Sequence, residues 1–179
     1  MDEIFEQFYE KYHQDLFQFV AYMVKDRQVA EDLVQEVYVK LIRSFHTYDG
    51  RSSEKTWLFS IARHVTVDYF RKQSRKRKRI FDYFDWGAKG ERLVDHKPLP
   101  EEIAVENEEM KQVYQAMEKC GVDQKTVIIL RYIQQLSIKE TAEILGWSES
   151  KVKTTQHRAM KKLREMLAHM GEGGIEHEA

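Results

Sequence analysis

Apolar residues recur every three or four positions along most of this chain, with no sustained alternation, so the pattern predicts helices rather than strands. A first stripe carries Phe5, Phe8, Tyr9, Tyr12, Leu16, Phe19, Val20 and Met23. A second, opened by Asp26 as a cap, carries Ala30, Leu33, Val34, Val37, Leu41, Ile42 and Phe45. A polar loop at residues 47–55 precedes a third, with Trp57, Leu58, Ile61, Ala62, Val65 and Tyr69. Three such stripes bury one another as a compact bundle. The third helix runs into residues 71–79, where seven of nine side chains are Lys or Arg.

Periodicity then fails over residues 80–99, where Gly87, Gly90 and Pro98 mark a linker. Pro100 suits a first helical turn, and Glu101 and Glu102 beside it complement the positive end of the helix dipole. That helix runs through Ile103, Val113 and Met117 toward Cys120; Gly121 breaks it, and Asp123 is expected to cap a further helix with Val127, Leu130 and Ile133. A linker of twenty residues at about 3.4 Å each spans at most ~68 Å, roughly two turns of B-DNA. One molecule could therefore touch two separated duplex sites. The expected architecture is all-α: two small helical domains joined by a flexible linker.

Residues 137–164 carry the sharpest local signal. Ser137 and Glu140 have the spacing of a capping box, and Ile138, Ala142 and Leu145 lie on one helical face. Gly146 supplies a left-handed residue to end that helix, and Ser148 offers a cap to the next. Helices joined by so short a turn cross steeply, which requires a small residue such as Ala142 opposite Val152. On the second helix Val152, Ala159 and Leu163 share one face. Lys151, Thr154, Arg158, Lys161 and Lys162 lie on the other, with Lys153 and His157 at its edge. Residues 148–164 hold six basic side chains against one acidic one. A capped helix-turn-helix with a cationic second helix is a duplex DNA reader.

The formal net charge of −1 conceals this segregation. Residues 1–79 and 123–170 are net positive, whereas residues 80–122 and 171–179 are net negative. A near-neutral whole is therefore compatible with a nucleic-acid partner, because the electrostatic footprint depends on local charge. The single Cys120 excludes an internal disulfide and a thiolate zinc cluster. The amino terminus lacks a basic start followed by an apolar run, and no apolar run approaches bilayer length, so a cytoplasmic protein is expected. No phosphate-binding GxxxxGK[ST], zinc-binding HExxH or nucleophile-elbow GxSxG is present, so catalysis is not expected.

Two further surfaces suggest partners. Polar Glu31, Asp32, Gln35 and Glu36 surround Leu33, with Tyr38 and Val39 expected on the side away from the core; a polar rim around apolar anchors suits a protein partner. Around residues 47–55 and the third helix, Tyr48, Trp57, Arg51, Lys55, Arg63 and Arg71 combine base-stacking rings with backbone-holding cations. Trp57 lies on the apolar stripe and reads first as core. These residues leave open a stand-alone helix-turn-helix regulator or a structural adaptor, although no polar constellation suggests a sensor's ligand pocket.

AEDLVQEVYVKLIRSF (30–45), KTWLFSIARHVTVDYFRK (55–72) and the helix-turn-helix, in that order, resemble the extracytoplasmic-function (ECF) sigma factors of the sigma-70 superfamily. The resemblance implies region 2 at residues 1–79, a linker and helix start at 80–106, region 4 at 107–170 and a disordered acidic tail at 171–179. In that family region 2 docks on the clamp helices of the RNA polymerase β′ subunit and captures the melted −10 element. Region 4 reads the −35 duplex in the major groove and contacts the β flap. Carried onto this chain, polymerase contact falls on Asp32, Leu33, Gln35, Glu36, Tyr38 and Val39. Contact with −10 DNA falls on Tyr48, Arg51, Ser52, Ser53, Lys55, Trp57, Ser60, Arg63, His64, Val67 and Arg71. Contact with −35 DNA falls on Ser148, Ser150, Lys151, Lys153, Thr154, Gln156, His157, Arg158 and Lys161. His64 departs from the pattern, where relatives commonly carry Asn. The implied partners are core RNA polymerase, promoter DNA and a membrane-anchored anti-sigma factor; no cofactor, metal or small-molecule substrate is expected.

Overall fold

The computed structural model describes residues 2–83 and 108–172, all of its regular elements being helical. The chain divides into two units, Met1–Pro100 and Glu101–Ala179. In the first, α1 (Asp2–Val24), α2 (Arg27–Ser44) and α3 (Glu54–Tyr83) pack pairwise, with a short 3-10 turn, Phe45–Thr47, after α2. Phe8, Leu16, Phe19 and Val20 of α1, Val37 and Leu41 of α2, and Leu58 and Ala62 of α3 are sealed from solvent as their stripes suggest; Phe59, off the stripe, is sealed with them, and Tyr9 of the first stripe is 44% exposed. Asp26 caps α2, accepting from the Val29 amide at 3.1 Å, a contact worth about 1 kcal/mol in such positions.

The third helix does not stop at the basic run. It continues to Tyr83, so the cations of residues 71–79 project from a regular helix. The helix overlaps the first four residues of the expected linker; the rest of that linker, with the Pro100 turn and Ile103, lies outside the described residues.

In the second unit α4 (Glu108–Glu118) and α5 (Val122–Ile128) lead through a π-helical segment, Ile129–Ile133, into α6 (Ile138–Leu145) and α7 (Glu149–Glu172). Gly121 rather than Asp123 is the N-cap of α5, with φ −64° and ψ 161°, and Asp123 sits in the first turn beside the helix's positive end. Tyr114, Ala116, Met117, Val127, Ile129, Leu130, Ile144, Val152 and Ala159 form the core. The last helix runs on to Glu172, past the expected tail boundary at 171; residues 173–179 lie outside the described residues. No helix among the described residues is long and apolar enough to cross a membrane.

Candidate nucleic-acid and polymerase interfaces

The helix-turn-helix is built as its local chemistry dictates. Ser137 Oγ accepts from the Glu140 amide at 3.1 Å while the Glu140 carboxylate accepts from the Ser137 amide at 2.7 Å. Gly146 ends α6 at φ +65°, a left-handed conformation that costs a residue with Cβ about 1–2 kcal/mol. Ser148 Oγ then accepts from the Lys151 amide at 3.2 Å, starting α7. Val152, Ala159 and Leu163 face inward. Ser148, Ser150, Lys151, Lys153, Thr154, His157, Arg158 and Lys161 are all exposed.

Two basic side chains are restrained. Lys151 lies over the Trp147 ring with its ammonium 4.0 Å from the centroid, and Lys162 donates to the Lys119 carbonyl at 2.7 Å. Trp147, in the turn itself, was not singled out by periodicity, because a turn residue belongs to no stripe. Gln156 is the exception among the expected readers. Four residues on from Val152, it lies on the inward-turned flank of α7, half-buried, and its Oε1 accepts from Arg131 Nε at 2.8 Å. Gln156 therefore ties α7 to the π-helical segment.

On α2, Asp32, Gln35 and Val39 are exposed and Glu36 half-exposed, spaced so that all four share one outward stripe. Glu36 pairs with Lys40 at 3.3 Å. Leu33 and Tyr38 are corrected: at 7% and 6% exposure they flank the inward arc of Ala30, Val34, Val37 and Leu41 and belong to the core. The Tyr38 ring meets Phe5 edge-on at 5.1 Å, and its hydroxyl lies 3.2 Å from His13 Nδ1. His13 in turn stacks on Tyr9 at 4.1 Å. Burial favours the neutral form of both groups, pushing the Tyr38 phenol up and the His13 imidazole down. Val39, 46% exposed, remains the apolar anchor of the stripe.

The loop between the 3-10 turn and α3 is ordered by its own side chains. Tyr48 donates to the Ser52 carbonyl at 2.6 Å, and the Arg51 amide donates to Asp49 at 3.0 Å around Gly50, whose φ is +72°. Ser53 Oγ caps α3 through the Thr56 amide at 3.0 Å. Trp57 is half-buried in a cluster with Tyr48, Phe45 and Phe8, at ring separations of 4.9, 6.1 and 6.2 Å, as its place on the apolar stripe suggests. Lys55 is partly engaged within the fold: its ammonium pairs with Asp15 at 3.0 Å and lies over the Phe59 ring, leaving the side chain 25% exposed. Arg51 stays open to solvent despite its contact with Asp49.

Along α3, Ser60, Arg63, His64, Val67 and Arg71 are spaced at three- and four-residue intervals and lie half or fully exposed, opposite Leu58, Ala62 and Val65. Because the helix is continuous, Arg75 and Lys78 extend the same stripe, giving a track of about 27 Å from residue 60 to 78 at 1.5 Å per residue. The hydroxyl of Ser60 donates to the Trp57 carbonyl at 2.7 Å, and His64 Nδ1 donates to the Ser60 carbonyl at 2.7 Å. Among the described residues, no cluster of three or more His, Cys, Asp or Glu side chains has a geometry that could hold a metal ion.

A three-helix bundle with a cationic helix track, and a second unit ending in a capped helix-turn-helix, define a DNA-binding protein with two separate contact surfaces. Residues 8–76 match the family model for sigma-70 region 2, and residues 110–163 match that for sigma-70 region 4. The chain is 55% identical over 167 residues to the ECF RNA polymerase sigma factor SigX of Bacillus subtilis, covering 93% of this chain and 85% of that protein. It is 32% identical to RNA polymerase sigma factor YlaC of the same organism, covering 90% and 91%. A solved structure of the sigma factor RpoE in complex with the anti-sigma factor NepR from Bartonella quintana superposes with a TM-score of 0.70 at 26% identity, covering 93% of this chain and 98% of that one. The chain belongs to the sigma-70 superfamily and is an ECF RNA polymerase sigma factor.

Proposed function

We propose that the two units divide promoter recognition between them: the first binds core RNA polymerase and takes the melted −10 strand, and the second reads the −35 duplex. The observation that carries this is the presence, in one chain, of two unlike cationic helical surfaces. One is the exposed face of α7 behind a capped turn, the geometry of major-groove entry. The other is the α3 track beside a side-chain-ordered loop and an aromatic cluster, which suits strand and phosphate better than a groove.

Polymerase contact falls on Asp32, Gln35, Glu36 and Val39, whose acids would repel phosphates. Extruded −10 bases meet the loop at residues 48–53, and the backbone meets Arg51, Arg63, His64 and Arg71. The phosphodiester chemistry belongs to the polymerase, and the chain acts in the cytoplasm where that enzyme works. An anti-sigma factor, the kind of partner held by the Bartonella quintana sigma factor, would act by covering the surfaces that polymerase needs. The test is transcription by core polymerase, with and without the chain, on promoters randomised at both elements, beside band shifts with the chain alone. Selection of a paired −35 and −10 motif only with polymerase supports the proposal. Tight sequence-specific binding by the chain alone, with no transcription, would establish a stand-alone regulator instead.

A further inference from the structure

The first residue of α3, Glu54, receives three donors from α1. Gln7 Nε2 lies at 3.0 Å, Lys11 Nζ at 3.2 Å and the Tyr12 hydroxyl at 3.0 Å from its two carboxylate oxygens. The next residue, Lys55, crosses to α1 with the opposite charge and meets Asp15 at 3.0 Å. The start of α3 is thus tied to two turns of α1 through residues 7, 11, 12 and 15. Directly before this clasp is the loop at residues 48–53. Its other end is fixed where Tyr48 packs against Trp57 and bonds the Ser52 carbonyl. Ser53, between loop and clasp, spends its hydroxyl on the Thr56 amide and hydroxyl.

Such exposed ion pairs add little to stability by themselves, yet here three donors converge on one carboxylate. Their effect is orientational: a loop already held in its bound shape loses less conformational freedom when a base arrives. The ammonium of Lys11 also offsets the carboxylate's charge, which would otherwise repel an incoming phosphate. The Tyr12 phenol, pushed up to about 12 by burial and then by its bond to Glu54, remains a donor across the physiological range.

We propose that Glu54 is a positioning residue for capture of the melted −10 strand, setting the attitude of the loop through Gln7, Lys11 and Tyr12. This rests on the reading of that loop as the acceptor of extruded bases.

The experiment uses holoenzyme reconstituted from the full chain and bacterial core RNA polymerase. The DNA is a pre-melted fork carrying the −10 sequence that wild-type holoenzyme selects from a randomised pool, with each of its single-base variants. The substitution E54Q keeps size and one acceptor while removing the charge that Lys11 meets, and Y12F removes one donor. Each is expected to reduce selectivity for the preferred base three- to tenfold, with the double variant no worse than the more severe single one. Holoenzyme assembly and −35 duplex affinity should stay within twofold. A uniform loss of fork binding with selectivity intact would overturn the inference and leave Glu54 a structural residue. A chain with Asp49, Gly50 and Arg51 all replaced by serine separates the two ideas. If it loses selectivity while E54Q and Y12F do not, the loop reading stands and the role of Glu54 falls. If none of the three changes selectivity, both fall together.

Discussion

Arg131 and Gln156 are joined by a 2.8 Å hydrogen bond from guanidinium Nε to amide Oε1, across 25 residues of sequence. The same guanidinium donates to the Leu136 carbonyl, immediately ahead of the Ser137 cap. One side chain from the π-helical segment therefore fixes both helices of the helix-turn-helix, the first at its entry and the second at its inward flank. π-Helical turns concentrate at functional positions because they redirect side chains that a regular helix would point elsewhere. Replacing Arg131 by Ala strands both acceptors and should cost about 1–3 kcal/mol in urea denaturation. Q156A should cost less, and the double variant should show coupling of about 0.5 kcal/mol or more. The affinity for −35 DNA should fall while its salt slope stays unchanged, as expected of a guanidinium spent on Gln156 and the Leu136 carbonyl. A reduced slope would instead place Arg131 on the DNA.

The outward cations of α7 make a contrasting prediction. Each of K153A, R158A and K161A that removes a phosphate contact should lower the salt slope of −35 binding by about 0.9 and weaken all sequences alike. T154A should cost about 1–3 kcal/mol at one base pair only, if Thr154 reads a base edge. Fluorescence titrations of the holoenzyme on −35 duplexes at several salt concentrations distinguish the two. A triple alanine variant with unaltered −35 dependence would remove the recognition role from α7.

Local chemistry was mostly readable, the Asp123 cap excepted, and distant chemistry was not. The Asp26 cap, the Ser137–Glu140 box, the Gly146 turn and the Ser148 cap each depend on residues within four positions of one another, and each forms as the spacing implies. Periodicity also gave the direction of each buried face, but not its width. On α2 the arc includes Leu33, which the stripe already held, and widens against α1 to take in Tyr38, because Phe5, Tyr9 and His13 arrive from another helix to cover the Tyr38 ring. Lys55 looked free for the same reason: its partner Asp15 lies 40 residues away. The extension of α3 to Tyr83 was hidden by a run of like charges, which suggests an end although Lys and Arg are good helix formers.

The burial of Leu33 and Tyr38 separates two kinds of loss on α2. Charge reversal at Asp32 and Glu36 should abolish co-purification with core polymerase while leaving the unfolding transition within about 0.5 kcal/mol, the range for surface substitutions. L33A should instead destabilise the chain by about 2–5 kcal/mol through the cavity it leaves. V39A, truncating an exposed anchor, should weaken assembly without destabilising the fold. Assembly measured against the fraction folded checks all three. Retained co-purification after charge reversal would move the polymerase contact off this stripe.

His13 makes the stability of the first unit pH-dependent in a defined direction. Burial lowers its pKa below the ordinary value of about 6.5, because the imidazole lies between the Tyr9 ring and the Tyr38 hydroxyl and the charged form loses water there. Above about 6.5 the imidazole is neutral in both folded and unfolded chains and contributes no pH dependence. As pH falls below that value the unfolded chain takes up the proton first, which favours unfolding, and the penalty grows until pH reaches the lower folded-state pKa. Wild-type protein should therefore lose stability on acidification more steeply than H13Q, which keeps a hydrogen-bonding side chain beside Tyr38 but does not titrate. Urea denaturation of both full-length chains at pH 8 and pH 5.5 measures the difference. The wild-type advantage over H13Q should shrink at the lower pH; an advantage that stays constant or grows would show that His13 takes up its proton as readily in the folded chain as in the unfolded one.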